Sequence, residues 1–437
     1  MHFLRTAIFG IIFSATTVLC SAQQNGMASM PGMSMPMNMP AHSLIEAELN
    51  HSGSGTSIEP ASTPSPMLMT STHGWMLMLH GSAFFADTQQ SGPLGADKLF
   101  STNWTMGMAQ RQLVLSQLTL RAMLSLEPAT ITGRYYPELF QQGETAFGKP
   151  IVDGQHPHDF LMELAVLYDV KLGDHALISF YAAPVGDPAI GPIAYPHRIS
   201  ASEDPIAALG HHQQDSTHIA FNVLTAGFTY RIARAELSGF HGGEPDEHRW
   251  AFQPSTNGHG LDSYSARLTI SPAQNWSGQF SIAHIASPES LYPHQDQQHQ
   301  TASAIYNRPL HSGNWSSTLV WGRTRSLTDN TKANSYLAES LLTLQHNHLW
   351  TRIENAARSN ELMLSPGTAL PANFTELPIG HVAAYSFGYS RDLRSLAHLS
   401  AAPGIQFTSY TTPQTLVPEY GTHPAGVLLF IRFRIVQ

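Results

Sequence analysis

The sequence predicts an all-β protein, a transmembrane antiparallel up-and-down β-barrel of about 16 strands, with about 14 and 18 as bounds. Apolar and polar residues alternate with a period of two over successive segments, as expected when one side of each strand faces lipid and the other faces the lumen. Charged residues are scarce, at 12% of the chain, and glycine and proline are frequent, which agrees with this class. No run of about 18 apolar residues follows residue 22, so a helical membrane span is not expected.

The first 22 residues have the pattern of a secretory signal. Arg5 supplies the positive n-region, residues 7–19 form the apolar core, and residues 20–22 form a small-residue cleavage site. We therefore expect export to the outer membrane, where lipid and lipopolysaccharide surround the barrel. The only cysteine, Cys20, would leave with the signal, so the mature chain would have no disulfide and no thiolate. The net charge of −9 argues against nucleic acid as a partner.

Residues 23–72 have the composition of a disordered arm rich in Met, Pro and Ser. Its first part holds six closely spaced methionines, namely Met27, Met30, Met33, Met35, Met37 and Met39. Soft thioethers that converge on one ion select Cu(I). The stretch resembles the methionine-rich segments of periplasmic copper-resistance proteins, which implies copper as a ligand and periplasmic metal-handling proteins as possible partners. The alternative is a low-complexity linker whose methionines have no task.

Residues 73–437 form the predicted barrel. The strand pattern begins at residues 75–86, 100–109 and 113–127; in the third of these, Leu118 and Leu120 lie on one side and Thr119 and Arg121 on the other. Further strands are predicted at 162–170, 176–182, 218–231, 235–241, 261–270, 276–285, 301–308, 315–325, 334–345, 349–358, 382–391, 396–408 and 426–436. Short turns such as residues 172–175 alternate with three long loops, 128–160, 184–217 and 242–260. Long loops in barrels lie on one side and can fold inward to constrict the lumen.

The last predicted strand alternates between apolar residues and the pair Arg432 and Arg434, and it resembles the C-terminal assembly signal of outer-membrane barrels. It departs from that signal because Gln437, rather than an aromatic residue, stands last. More broadly, residues 75–437 resemble a family of bacterial outer-membrane barrels with histidine-rich loops. This resemblance implies fold and location more than chemistry, because one fold hosts many functions.

Histidines and carboxylates, which are ligands for divalent transition metals, concentrate in the long loops. The candidate ligands are His156, His158, Asp159, His197, His211, His212, Asp215, His218, His241 and His248.

The sharpest candidates are His156 and His158. In extended backbone, residues i and i+2 point to the same side, so these two imidazoles could bind one ion while Asp153 or Asp159 orients a ring. The alternative is a surface turn at Pro157.

A second set comprises His211, His212, Asp215 and His218. Neighbouring histidines diverge, but spacings of three or four can reconverge in a turn, and with the first pair they would complete a three- or four-coordinate site.

The remaining candidates have alternatives of equal or greater weight. His197 is better explained as a hydrogen-bonded anchor in a packed loop. His241 and His248 flank an acidic turn that could attract cations to the barrel mouth without binding them tightly.

Three functional classes follow. The first is an outer-membrane protein that binds or handles copper or another divalent transition metal. The second is a porin-like passive channel for small solutes, whose selectivity comes from an inward loop and a charged lining. The third is a membrane lipid hydrolase, which is disfavoured because no nucleophile stands in a catalytic setting.

Overall fold

The structure, a computed structural model, describes residues 41–215, 220–245, 247–251, 260–364, 367–393 and 397–436. The predicted signal, the six methionines between residues 27 and 39, and His218 all lie outside these ranges. Within them, no helix has both the length and the apolar character needed to cross a membrane.

Strands dominate the described residues. In chain order they are β1 (Leu68–Thr72), β2 (Trp75–Gln90), β3 (Lys98–Gln112), β4 (Ser116–Leu124), β5 (Tyr136–Pro137), β6 (Glu144–Ala146), β7 (Lys149–Ile151), β8 (Gly154–Gln155), β9 (Leu161–Lys171), β10 (Ala176–Gly186), β11 (Ala220–Tyr230), β12 (Ala233–His241), β13 (Ser263–Ala273), β14 (Trp276–Ile285), β15 (Gln297–Leu310), β16 (Gly313–Ser326), β17 (Lys332–Leu344), β18 (Asn347–Ser359), β19 (Pro378–Arg391), β20 (Leu399–Thr411) and β21 (Ala425–Ile435). The helices are α1 (Leu44–Asn50), α2 (Glu127–Thr130), α3 (His211–Gln214) and α4 (Val417–Tyr420), with 3-10 turns at Ile199–Ala201 and Asn360–Met363.

Sixteen of the described strands, β2 to β4 and β9 to β21, form one closed antiparallel sheet. Each pairs with its neighbours in chain order, and the ring closes where β2 pairs with β21, with Ser82 opposite Arg434 and Gln90 opposite Gly426. Strand β1 adds a short ladder to the start of β2. The predicted up-and-down barrel of about 16 strands is confirmed.

The outer face of the barrel is apolar. Outward residues such as Leu237, Phe180 and Phe387 are 68%, 51% and 59% exposed, whereas Thr225 and Thr229, which alternate with outward residues on β11, are buried. Such an exterior is stable against lipid and costly against water. The fold and this exterior agree with the predicted location in the outer membrane.

The two ends of the barrel differ. Short turns at residues 113–115, 172–175, 231–232, 274–275, 311–312 and 345–346 lie at one end. The longer connections leave from the other end, which we call the loop end; they include those that follow β4, β10, β12 and β18. The prediction of long loops on one side is therefore confirmed.

The lumen is filled with protein. Inward side chains around the ring, among them Thr119, Thr229, Ser281, Thr301 and Ser316, have no exposed surface. In a wide water-filled pore these residues would contact solvent. The arm from residue 41 and the loops 125–160 and 187–215 take the place of that water.

Residues 41–72 correct the prediction of a disordered arm over 23–72. Helix α1 begins at an N-cap, Ser43, whose hydroxyl accepts a hydrogen bond from the Glu46 backbone N–H at 3.2 Å. Its buried Glu48 contacts Thr229 and Arg234 of the wall. The prediction was wrong here because it rests on how few apolar side chains the segment has to bury. Polar partners on the barrel wall hold this segment instead.

Candidate functional site

Arg121 of β4 is the main anchor of the arm. Its Nε and Nη2 donate to the two carboxylate oxygens of Glu163 at 2.6 and 2.8 Å, and its Nη1 and Nη2 donate to the carbonyls of Gly53 and Gly55, both at 2.6 Å. Gly55 has φ +59°, and a Cβ there would lie 2.7 Å from the Cβ of Asp187. Glycine therefore lets the arm backbone approach the buried guanidinium closely.

Loop 187–215 crosses the lumen. It starts at the end of β10 and reaches β18, which stands eight strands further round the ring of sixteen. Asp204 pairs with Arg352 of β18 at 2.9 Å, and Glu203 pairs with Arg432 of β21. Arg198 pairs with Glu339 of β17. These buried ion pairs fix the loop across the middle of the barrel.

Loop 125–160 folds beside it and brings Glu144 to two histidines of α3. The Glu144 Oε1 lies 2.9 Å from His212 Nε2 and 3.8 Å from His211 Nε2, and the candidate ligand atoms of these three residues all lie within 4.8 Å of one another. His156 Nε2 approaches the same oxygen at 3.3 Å. The structure thus brings His156, His211 and His212, three of the predicted ligands, around a carboxylate that the sequence did not identify.

The protonation of these rings follows from their other contacts. The Nδ1 atoms of His211 and His156 lie 2.7 Å from the carbonyls of Ala208 and Pro157, which can only accept. Both Nδ1 atoms therefore carry the proton. Burial lowers the pKa of His156 to about 3. Burial, helped by the neighbouring His211, lowers the pKa of His212 to about 4.

His158 does not share an ion position with His156. Both its backbone N–H, at 2.8 Å, and its Nδ1, at 2.9 Å, contact Oε2 of Glu127, and its Nε2 lies 3.5 Å from the Tyr195 hydroxyl. This double contact fixes the residue on a different carboxylate. Asp159, which the sequence analysis offered as a residue that orients an imidazole, pairs with Arg249 at 3.1 Å.

The other candidates lie apart from Glu144. Asp215 pairs with Arg198 at 3.3 Å, and His241 contacts Asp262 at 2.5 Å. His248 is exposed in the loop that follows β12. The expectation that Asp215 would join His211 and His212 as a ligand stays a prediction, and the structure places one of its carboxylate oxygens on the buried Arg198 guanidinium.

His197 packs against a cluster of methionines. Its Nε2 lies 3.3 Å from the Met123 sulfur, and its ring centroid is 5.6 Å from that of His80. Burial holds the pKa of His197 well below its usual range. The buried methionines of the cluster are Met67, Met78, Met106, Met108, Met123 and Met162, and Met69 and Met76 pack against them. Alternation placed the members between residues 75 and 162 on strands, whereas Met67 and Met69 fell in the predicted arm, and no short-range pattern marked their convergence.

A cavity of about 350 Å³ opens at the loop end, and we call it the vestibule. His212 lines it beside Gln142 and Gly143. Its charged lining residues are Asp215, Glu244, Glu289, Asp329, Glu376, Lys332 and Arg358. Five acidic groups therefore face two basic ones.

Comparison with known proteins establishes the class of the fold. No protein-family profile matches the chain, and no curated protein matches it in sequence. Among solved structures, it is similar to an anion-selective porin from Comamonas acidovorans, with 10% identity and a TM-score of 0.51 over 83% of this chain and all of that one. It is also similar to Salmonella typhi OmpF in complex with daunomycin, at 10% identity and a TM-score of 0.50 over 84% and 100% of the two chains.

A third similar structure is OprB of Pseudomonas putida, with 8% identity and a TM-score of 0.50 over 83% of this chain and 94% of that one. At these identities the likeness concerns the fold alone. The chain has the closed barrel architecture of outer-membrane porins.

Proposed function

We propose that this protein is a porin-like outer-membrane channel for small cationic solutes, closed in this conformation by the arm and the loop 187–215. The porin architecture of the barrel carries the proposal. Because the inward residues that these segments cover have no contact with solvent, a solute can pass through the barrel only if one of the segments moves.

The vestibule supports a preference for cations. Burial and the adjacent Glu376 raise the pKa of Glu289 to about 7, and burial together with Glu289 raises the pKa of Glu244. A cation that enters among these carboxyls favours their ionised form and reduces their mutual repulsion. An anion would instead favour the protonated form of these carboxyls and would gain no such stabilisation.

Single-channel recording in planar bilayers tests the proposal. The full chain is compared with a variant that lacks residues 41–67, under a KCl gradient, and heat-modifiable migration in gels confirms that each is folded. We expect rare openings for the full chain, frequent openings for the variant, and reversal potentials that show cation preference. A folded variant that conducts no ions overturns the channel, and an anion preference overturns the role of the vestibule.

A second candidate function is the handling of copper, and the methionine cluster beside His197 supports it. Eight thioethers in one place exceed what gap-filling in a core ordinarily requires, and soft sulfur with imidazole suits Cu(I). The Nε2 of His80 is buried and has no hydrogen-bond partner among the described residues. Two imidazoles and the Met123 sulfur therefore lie close together in a buried setting.

Cu(I) titration against a competing chelator tests this candidate. All proteins carry leucine at the six methionines of residues 27–39, so that only the barrel is measured. We expect Met123→Leu and His197→Ala to lose about one equivalent of tight Cu(I). Met363→Leu, at an exposed position, is the control. Equal copper content in all of them would remove the candidate.

A further inference from the structure

We infer that Glu144, His211 and His212 form a binding site for a divalent first-row transition ion such as Zn²⁺ or Cu²⁺ at the base of the vestibule. The site depends neither on conductance nor on the methionine cluster. It stands on the geometry of the three ligand atoms, on the hydrogen bonds of the imidazoles, and on the access that the vestibule provides.

The distances fit one shared ion. Zinc binds imidazole nitrogen and carboxylate oxygen at about 2.0–2.2 Å, so neighbouring ligand atoms of a tetrahedral site are about 3.3–3.6 Å apart. The Oε1 of Glu144 lies 2.9 Å from His212 Nε2 and 3.8 Å from His211 Nε2, which brackets that value. Shifts of a few tenths of an ångström would bring these two distances into that range, and all three ligand atoms lie within 4.8 Å of one another.

The hydrogen bonds of the rings favour a cation over a plain polar network. The Nδ1 of His211 donates to the Ala208 carbonyl, so the Nε2 is the ring nitrogen that faces the carboxylate oxygen, at 3.8 Å. His156, with its Nδ1 bonded to the Pro157 carbonyl, presents a lone pair to the same oxygen at 3.3 Å. Lone pairs that face one another repel unless a positive charge lies between them. An imidazole that donates Nδ1–H to a carbonyl and binds metal through Nε2 is a common arrangement in metal sites.

The carboxylate is held in place by groups that are not ligands. Gln155 donates its side-chain N–H to Oε1 at 2.6 Å, and the His156 backbone N–H donates to Oε2 at 3.1 Å. The Glu144 carboxylate and the His211 imidazole are thus held in place before an ion binds. His211 and Glu144 are 2% exposed, whereas His212 is partly exposed and lines the vestibule. An ion can reach the site from the loop end.

The ligand set selects the class of ion. Two imidazoles and one carboxylate suit zinc, copper, nickel and cobalt, whereas calcium and magnesium prefer sites built from oxygen alone. Three protein ligands leave a fourth position for water or a solute, as in sites where the bound species exchanges. We therefore expect an exchangeable ion.

Titration of the chelator-treated, full-length protein with Co²⁺ tests the inference, because tetrahedral Co²⁺ with nitrogen and oxygen ligands absorbs strongly in the visible range. We expect one equivalent to produce this band and Zn²⁺ to displace it. Glu144→Gln and His212→Ala should weaken binding by about tenfold or more. His381→Ala is the matched control, since His381 is exposed and contacts Asn355 instead.

The outcomes are decisive in both directions. If Glu144→Gln and His212→Ala bind Co²⁺ as the unchanged protein does, the site is wrong. If these variants do not fold, X-ray absorption at the zinc edge of the unchanged protein decides the question. Scattering from two imidazoles and light oxygen or nitrogen atoms supports the site, whereas sulfur ligands or water alone overturn it.

Discussion

Replacement of Arg121 by Gln should release the arm from the lumen. The guanidinium is 2% exposed and holds Glu163 together with the carbonyls of Gly53 and Gly55. Glutamine cannot reach these three partners together, so the substitution leaves a buried carboxylate without its cation. Removal of one member of a buried ion pair costs about 3–5 kcal/mol.

This cost sets the expected size of the effect. At about 1.4 kcal/mol for each factor of ten, it corresponds to at least a 100-fold rise in the population of chains whose arm has left its place. The Arg121–Glu163 pair also joins β4 to β9 of the wall, but the backbone ladders of β4 to β3 and β9 remain, so we expect the barrel to stay closed while the arm loses its anchor.

A cysteine introduced at Ser54, which is 6% exposed in the arm, reports the release. We expect a thiol-reactive probe to label Ser54→Cys about 100-fold faster when Arg121 is Gln. Chains without the added cysteine measure the background labelling. Arg111→Gln is the matched control, because this exposed arginine only stacks over Trp75. Equal labelling rates in folded Arg121→Gln and Arg111→Gln proteins would refute the anchor.

Three further predictions concern the loop and the wall. Glu339→Gln removes the buried partner of Arg198, so bilayer recordings should show longer openings than in the unchanged protein; unchanged dwell times would contradict the role of this pair. Leu237→Arg places a charge on the lipid face near the middle of β12, which should cost about 2–4 kcal/mol in urea unfolding, whereas Leu237→Phe should cost little. Gly388→Ala puts a Cβ 2.0 Å from the Trp350 ring, so the free energy of unfolding should fall by about 1–3 kcal/mol. An unchanged free energy of unfolding would show that the ring moves aside without cost.

The wall of this protein was predictable because the bilayer imposes a strict two-sided environment on every strand. Leu120 is 42% exposed and Arg121 is 2% exposed, as the alternation of β4 predicted. The period of two holds along the sixteen wall strands, since a slip of one residue would turn lipid-facing side chains into the lumen. Strand count, loop ends and the turn at residues 172–175 follow from that single constraint.

The interior was less predictable because its contacts join distant residues. Glu144 meets His212 from a different loop, and nothing near either residue in the sequence indicates the other. His156 and His158, which the spacing argument placed on one ion, each engage a different carboxylate. The order of residues 41–67 depends on partners such as Arg121, which composition does not register.

The seam between β2 and β21 has a consequence for biogenesis. The final strand carries Arg432, and this side chain binds Glu203 of the loop that crosses the barrel. The first strand follows directly from the segment that Arg121 holds. Closure of the seam therefore involves a side chain that also binds the interior, so joining the two edges before the loop is in place would leave Arg432 without its ion pair to Glu203. Packing of the interior and sealing of the ring are expected to occur as one cooperative step.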